Sequence, residues 1–175
     1  MFEKIKCKSI VLSSIIFVLC FAYNASAADI TANAEIVGNI SVTQVTPLDF
    51  GQFSSGISGG FVTYSTSGLI SSSTPDIVLL GGEITGIANL DTSGAGLGTP
   101  VTVTVTGGNL TGPGLMQLHP TCEGPGGVEG APDAGCTFTA TGSPTDSLIL
   151  GGVLTVAANQ PVGTYTGVMV VTAEF

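Results

Sequence analysis

Gly56-Ile57-Ser58-Gly59-Gly60 has the G-x-S-x-G spacing that exposes a nucleophilic serine when it sits on a sharp strand-to-helix turn. Asp76, Asp91 and His119 follow it in hydrolase order. The motif needs a helix behind it, yet Phe61-Val62-Thr63-Tyr64 reads as a strand. With 26 glycines in the chain, such a spacing is expected by chance, so Ser58 is assigned no catalysis and the chain is not read as an enzyme. His119 is the only imidazole and sits between Leu118 and Pro120. Without a second histidine it lacks the company that general-base or metal chemistry requires, and a strand-end or turn position is expected.

Cys122 and Cys136 frame the second chemical possibility. In an exported chain they read as one disulfide closing a loop, which stabilises by roughly 3 kcal/mol in the chain-entropy model. A metal centre would need more soft ligands than two cysteines and His119 provide. Glu123, Glu129 and Asp133 lie in or beside this loop, but their spacing is not that of a calcium-binding hand. The expectation is a solvated acidic loop pinned by the disulfide, exposed and free to vary, with no metal and no cofactor.

Export itself is read from the first 27 residues. Lys4, Lys6 and Lys8 precede an apolar run from Ile10 to about Ala22, and Ala25-Ser26-Ala27 closes it: the pattern of a signal peptide. Phe17-Val18-Leu19 before Cys20 does not fit a lipid-anchoring signal. Cleavage after Ala27 would leave a chain with no Lys or Arg and eleven carboxylates (the twelve of the sequence less Glu3). Phosphate neutralisation is closed to such a chain, so nucleic acid is not an expected partner. Anionic membrane surfaces fall by the same argument, and no further run is long and apolar enough for membrane insertion. Localisation is expected to be periplasmic in transit, then cell-surface or extracellular.

Beyond residue 28 no stretch sustains a helical apolar period, while strand patterns recur. Thr99 to Thr106 alternates threonine and proline with valine, giving one buried and one wet face, and Gly107-Gly108 ends it. Shorter strands are expected at 40–45, 61–66, 76–80, 84–90, 114–119 and 137–140. Another is expected at 148–157, interrupted at Gly151-Gly152. A last runs over 163–175, with Tyr165, Met169, Val171, Ala173 and Phe175 on one face. Gly, Pro and Asn turns between such strands indicate an all-β antiparallel sandwich over 39–175. Ahead of it, in an extension over 28–38, Ile30, Ala32, Ala34 and Ile36 alternate with polar residues. That segment is either a first strand paired in its own sheet or a donor strand for a neighbouring subunit.

The run from Leu154 to Phe175, centred on Gln160-Pro161-Val162-Gly163-Thr164-Tyr165, resembles the closing strands of a family of secreted Gram-negative β-domains of unknown function. Pro47-Leu48-Asp49-Phe50-Gly51 resembles the opening of the same group, which is similar in pattern to chaperone–usher fimbrial subunits (pilins). The resemblance implies an immunoglobulin-like sandwich lacking its final strand, completed by donor-strand exchange. Carried onto this chain, it implies a donor with Ile30, Ala32, Ala34 and Ile36 as groove-filling residues. The acceptor groove would be edged by Tyr165, Met169, Val171 and Phe175. The implied partners are copies of itself or homologous subunits, a periplasmic chaperone and an outer-membrane usher. The cysteines depart from the pattern, for pilin bridges join early strands.

Three functions follow as expectations. The first is a structural subunit of a cell-surface fimbria or pilus, supporting adhesion or biofilm. The second is a monomeric secreted module binding a glycan or host surface, which the absence of Trp weakens. The third, a small outer-membrane barrel, would need longer strands and more interfacial aromatics than the chain has.

Overall fold

The alternation of β7 (Pro100–Thr106) produces the strand it demands: Val101, Val103 and Val105 are buried while Thr102, Thr104 and Thr106 face water. The computed structural model describes residues 40–175, which form strands and turns with no helix. The donor candidates Ile30, Ala32, Ala34 and Ile36 lie outside the described residues, as does the expected signal segment.

β11 (Asp146–Val156) is the spine of the larger sheet. One edge pairs with β9 (Leu115–Glu123), from Ile149↔Glu123 to Thr155↔Gln117. The other pairs first with β6 (Gly86–Asp91) and then, from Gly152 onward, with β3 (Gly60–Tyr64). β1 (Ser41–Thr46) lies outside β6, β4 (Ile70–Ser72) outside β3, and β8 (Asn109–Thr111) beside the start of β9. The second sheet runs β10 (Cys136–Thr139), β7, β12 (Val170–Glu174). A ribbon of β2 (Gln52–Phe53) and β5 (Leu79–Gly81) completes the set, and every pairing is antiparallel.

Taken in chain order, β1, β6, β9 and β11 occupy the A, B, D and E positions of one immunoglobulin sheet. β7 and β12 take C and F of the other. The protein is thus an all-β antiparallel sandwich.

Two apolar clusters fill it. Ala88, Leu90, Val101, Val103, Val105, Phe138, Leu148 and Leu150 form one, with the disulfide; Phe50, Val62, Tyr64, Ile77, Met116, Leu118, Leu154 and Val156 form the other. They divide near Gly152, the inward position of β11 between Leu150 and Leu154. A Cβ there would lie 3.0 Å from both the His119 carbonyl and the Leu118 side chain. At Gly151 it would lie 2.4 Å from the Tyr64 carbonyl oxygen. The glycine pair therefore permits close packing where the neighbour changes from β6 to β3. β11 runs unbroken through it, and the expected interruption does not occur.

Other boundaries shift for physical reasons. β9 continues through Pro120 to Glu123 rather than stopping at His119. The Pro120 carbonyl accepts from the Asp133 N–H at 2.9 Å, so its nitrogen also faces the loop and the ladder to β11 loses no donor. Asp76 turns back toward Ser58, so the strand expected at 76–80 appears as Leu79–Gly81. The last strand shortens to Val170–Glu174, because the chain ahead of it crosses from one sheet to the other with only a Thr111↔Thr166 bridge. β2, β4 and β8 have two or three residues each and no alternation to announce them.

Candidate functional site

β12 pairs with β7 from Val170↔Thr106 to Glu174↔Thr102, and no described residue pairs with its other edge. β1, the outermost strand of the facing sheet, is likewise paired on one side only, by β6. Both strands turn apolar residues toward the same cluster: Ile40 and Val42 beside β1, and Met169, Val171 and Ala173 beside and along β12. These residues are only half-buried, whereas Val101, Val103 and Val105 of β7 are 0%, 1% and 3% exposed. The third strand of an immunoglobulin C–F–G sheet belongs beside β12. That position is empty among the described residues. β1 and β12 approach within 8 Å at Cα, less than the roughly 9–10 Å that two successive strand spacings occupy.

Of the four residues expected along this edge, Met169 and Val171 face the cluster under β12. Phe175 follows the strand and is 42% exposed. Tyr165 is separated from them. Its ring packs on the second cluster, and its hydroxyl donates to the Pro161 carbonyl (2.6 Å) while accepting from Gln160 Nε2 (3.0 Å). Gln160 Nε2 also donates to the Leu115 carbonyl (3.1 Å), so Tyr165 pins the β11–β12 connection to β9. Sequence alternation could not separate it, since it shares the odd-numbered phase of Met169 and Val171.

Residues 40–175 match the family model described as Domain of unknown function (DUF4402). The chain belongs to this family. No match is found among curated proteins.

The DUF4402 domain joins Cys122 to Cys136 in a disulfide, Cα–Cα 5.7 Å, linking β9 to β10 across the sandwich. The loop between them is not free. Gly130 N–H donates to the Cys122 carbonyl (2.9 Å) and Asp133 N–H to that of Pro120, covering the edge of β9 that β8 leaves open. Gly135 lies so close to β7 that a Cβ would come 2.2 Å from the Val103 carbonyl oxygen. The loop is thus an edge cover stitched to two sheets, while Val128, Glu129 and residues 131–134 stay exposed. Its carboxylates go to separate partners: Glu123 accepts from Thr66 (2.6 Å), Glu129 from Thr121 (2.7 Å), and Asp133 meets His119 Nδ1 at 2.5 Å. They do not converge on a common centre, and no metal-binding cluster occurs among the described residues.

Of the serine motif and the residues that follow it, only Ser58 and Asp76 come together, through the serine's backbone; Asp91 and His119 bond elsewhere. Asp76 Oδ2 accepts the Ser58 backbone N–H at 3.1 Å, Asp91 holds Ser93, and His119 engages Asp133. A Cβ on Gly56 would meet the Asp76 carboxylate at 2.4 Å, so that glycine serves the turn into β3.

Sequence reasoning missed Asp146. It is a buried carboxylate accepting from the hydroxyls of Thr92 (2.6 Å) and Thr141 and from the Thr141 N–H (3.2 Å), which ties the end of β6 to the β10–β11 connection. Burial pushes its pKa up, but the Thr141 and Thr92 hydroxyls and the Thr141 amide outweigh this and hold it below the usual aspartate range. Nothing in the local pattern Pro144-Thr145-Asp146 signals it, because its partners come from 54 and 5 residues away.

Proposed function

We propose that this protein is a structural subunit of a cell-surface fimbria, polymerised by donor-strand exchange between copies or homologous subunits. The observation that carries the reading is the edge of β12: a strand with one neighbour, half-buried apolar residues beneath it, and no G strand among the described residues. An edge of this kind templates pairing with another chain unless it is blunted, and Glu174 is its one charged residue. The resemblance of Leu154–Phe175 to the closing strands of a secreted β-domain family, itself similar in pattern to fimbrial subunits, supports the same reading. So does the export pattern of the first 27 residues, which would deliver the chain to a periplasmic chaperone and an outer-membrane usher. Ile30, Ala32, Ala34 and Ile36 of one copy would cover Met169, Val171 and Ala173 of the next. Because β1 and β12 come within 8 Å at Cα, the donor must part them to enter.

That same approach favours a second reading, in which the sandwich closes on itself as a monomeric surface module and residues 28–37 pair within their own chain. Electrophoresis separates the two. Exchange predicts ladders that survive SDS and collapse on boiling, and a deletion of 28–37 that folds but does not polymerise. A deletion variant that polymerises normally overturns the donor assignment. A full-length protein that stays at monomer size at every concentration establishes the second reading.

A further inference from the structure

The outer edge of β9 is covered in two pieces with a gap between them. β8 pairs with it as far as Asn109↔Gln117, and the cysteine loop takes over at Pro120. Alternate residues of a strand aim N–H and C=O to the same side, so Leu118, in phase with Pro120 and Cys122, faces this side, its N–H toward Gly108 where the Asn109↔Gln117 pair ends the ladder. β7 has a matching gap. β10 begins opposite Val103, and the Thr99 carbonyl is already bonded on that side by the Ala140 N–H. By the same alternation Val105 aims its own pair beyond the end of β10. Val105 is a buried residue with no strand partner on that side among the described residues. Such groups on the wall of an open notch bond water, which a ligand with matching donors and acceptors can displace.

Between these two edges lies a cavity of about 330 Å³. Thr104, Thr106, Asn109, Gln117, His119 and Asp133 give it a polar wall, and Gly107-Gly108 form its end. A Cβ on Gly107 would lie 2.7 Å from the Leu118 carbonyl oxygen, so only glycine permits this closure.

We propose that the notch binds a single neutral sugar ring. Its chemistry selects hydroxyl groups, which donate and accept at once: backbone edges, amides and threonine hydroxyls offer both functions, and Asp133 accepts only. Anions are disfavoured, for Asp133 borders the notch and the chain has no Lys or Arg beyond Lys8. Ligand pockets run from roughly 300 to 1,000 Å³, so this one holds one ring rather than a chain of them. No aromatic platform borders it, so binding rests on hydrogen bonds alone and falls in the millimolar range.

The test is an NMR titration of the isotope-labelled full protein with glucose, galactose, mannose and N-acetylglucosamine in turn, and with inorganic sulfate as the anion. At least one sugar should shift the amides of Val105, Leu118 and Asn109 saturably, and sulfate should leave them unmoved. Asp133→Asn keeps size and suits the left-handed backbone there (φ 62°). It should weaken the sugar about tenfold or more, as loss of a charged hydrogen-bond partner does. Glu174→Gln, opposite Thr102 and away from the notch, should bind as the parent does, with both variants keeping the parent's melting midpoint. Absence of shifts with every sugar, shifts with sulfate, or unchanged affinity in Asp133→Asn would each overturn the proposal. Strand exchange is not assumed: a non-polymerising deletion of 28–37 should give the same sugar shifts.

Discussion

β7 and β12 are neighbours in one sheet and read alike in sequence, yet they live in different surroundings. Val101-Thr102-Val103-Thr104-Val105 and Met169-Val170-Val171-Thr172-Ala173 both turn every second side chain toward the same apolar cluster. β7 has β12 on one side and β10 on the other as far as Val103, and its valines are fully buried. β12 has one neighbour, and its inward residues stay half-exposed. Burial in a sandwich is thus set less by which face a side chain occupies than by whether the strand beside it is present. That is what makes β12 the place for an incoming segment.

The comparison can be broken most forcefully with a charge. Val103→Asp places an unpaired carboxylate in a closed core and should cost about 4 kcal/mol or more, enough to unfold the domain in a denaturant titration. Val171→Asp reaches water and should cost about 1–2 kcal/mol in the monomer while abolishing SDS-resistant ladders. Equal losses at the two positions would mean that β12 is as enclosed as β7.

Removing the disulfide with Cys122→Ala and Cys136→Ala should cost roughly 3 kcal/mol in the same titration. It should also speed hydrogen exchange at the amides of β10, because the bridge fastens that strand beside β7. Loss of β10 would turn β7 into an edge and erase its difference from β12.

Truncation sharpens the contrast at smaller scale. Val103→Ala should lose about 2 kcal/mol, and Val171→Ala less than about 1 kcal/mol in the monomer. If a donor strand covers Val171, the second value should rise toward the first in the polymer.

Acid should act on both strands equally, through carboxylates that lie elsewhere. Asp146 titrates low for the reasons given. Asp76 does so chiefly through the Ser58 amide, and Asp91 through the Ser93 hydroxyl. A depressed native pKa stabilises above the unfolded value of about 3.9, and the contribution is lost as pH falls through the native value. The melting midpoint should therefore hold between about pH 7 and 5 and drop below about pH 4. Asp146→Asn should flatten that drop.

What the amino-acid order determined is the part carried by local alternation and composition. Valine and threonine at period two could only make a half-buried strand, frequent glycine and proline excluded long helices, and two cysteines left beyond Cys20 had only each other. Acidity without Lys or Arg beyond Lys8 is likewise complete in the sequence. Tertiary structure decided whatever depends on a neighbour distant in the chain. Gly151-Gly152 looked like a break, but it is a point of close approach, visible only once Tyr64 and His119 are brought beside it. Pro120 looked like a stop, but it is tolerated because its nitrogen faces a loop. Tyr165 shares a phase with Met169 and Val171, yet its hydroxyl was claimed by Pro161 and Gln160. Periodicity fixes which face a side chain takes, whereas enclosure depends on which strand lies alongside, and that is settled only when the two sheets pack.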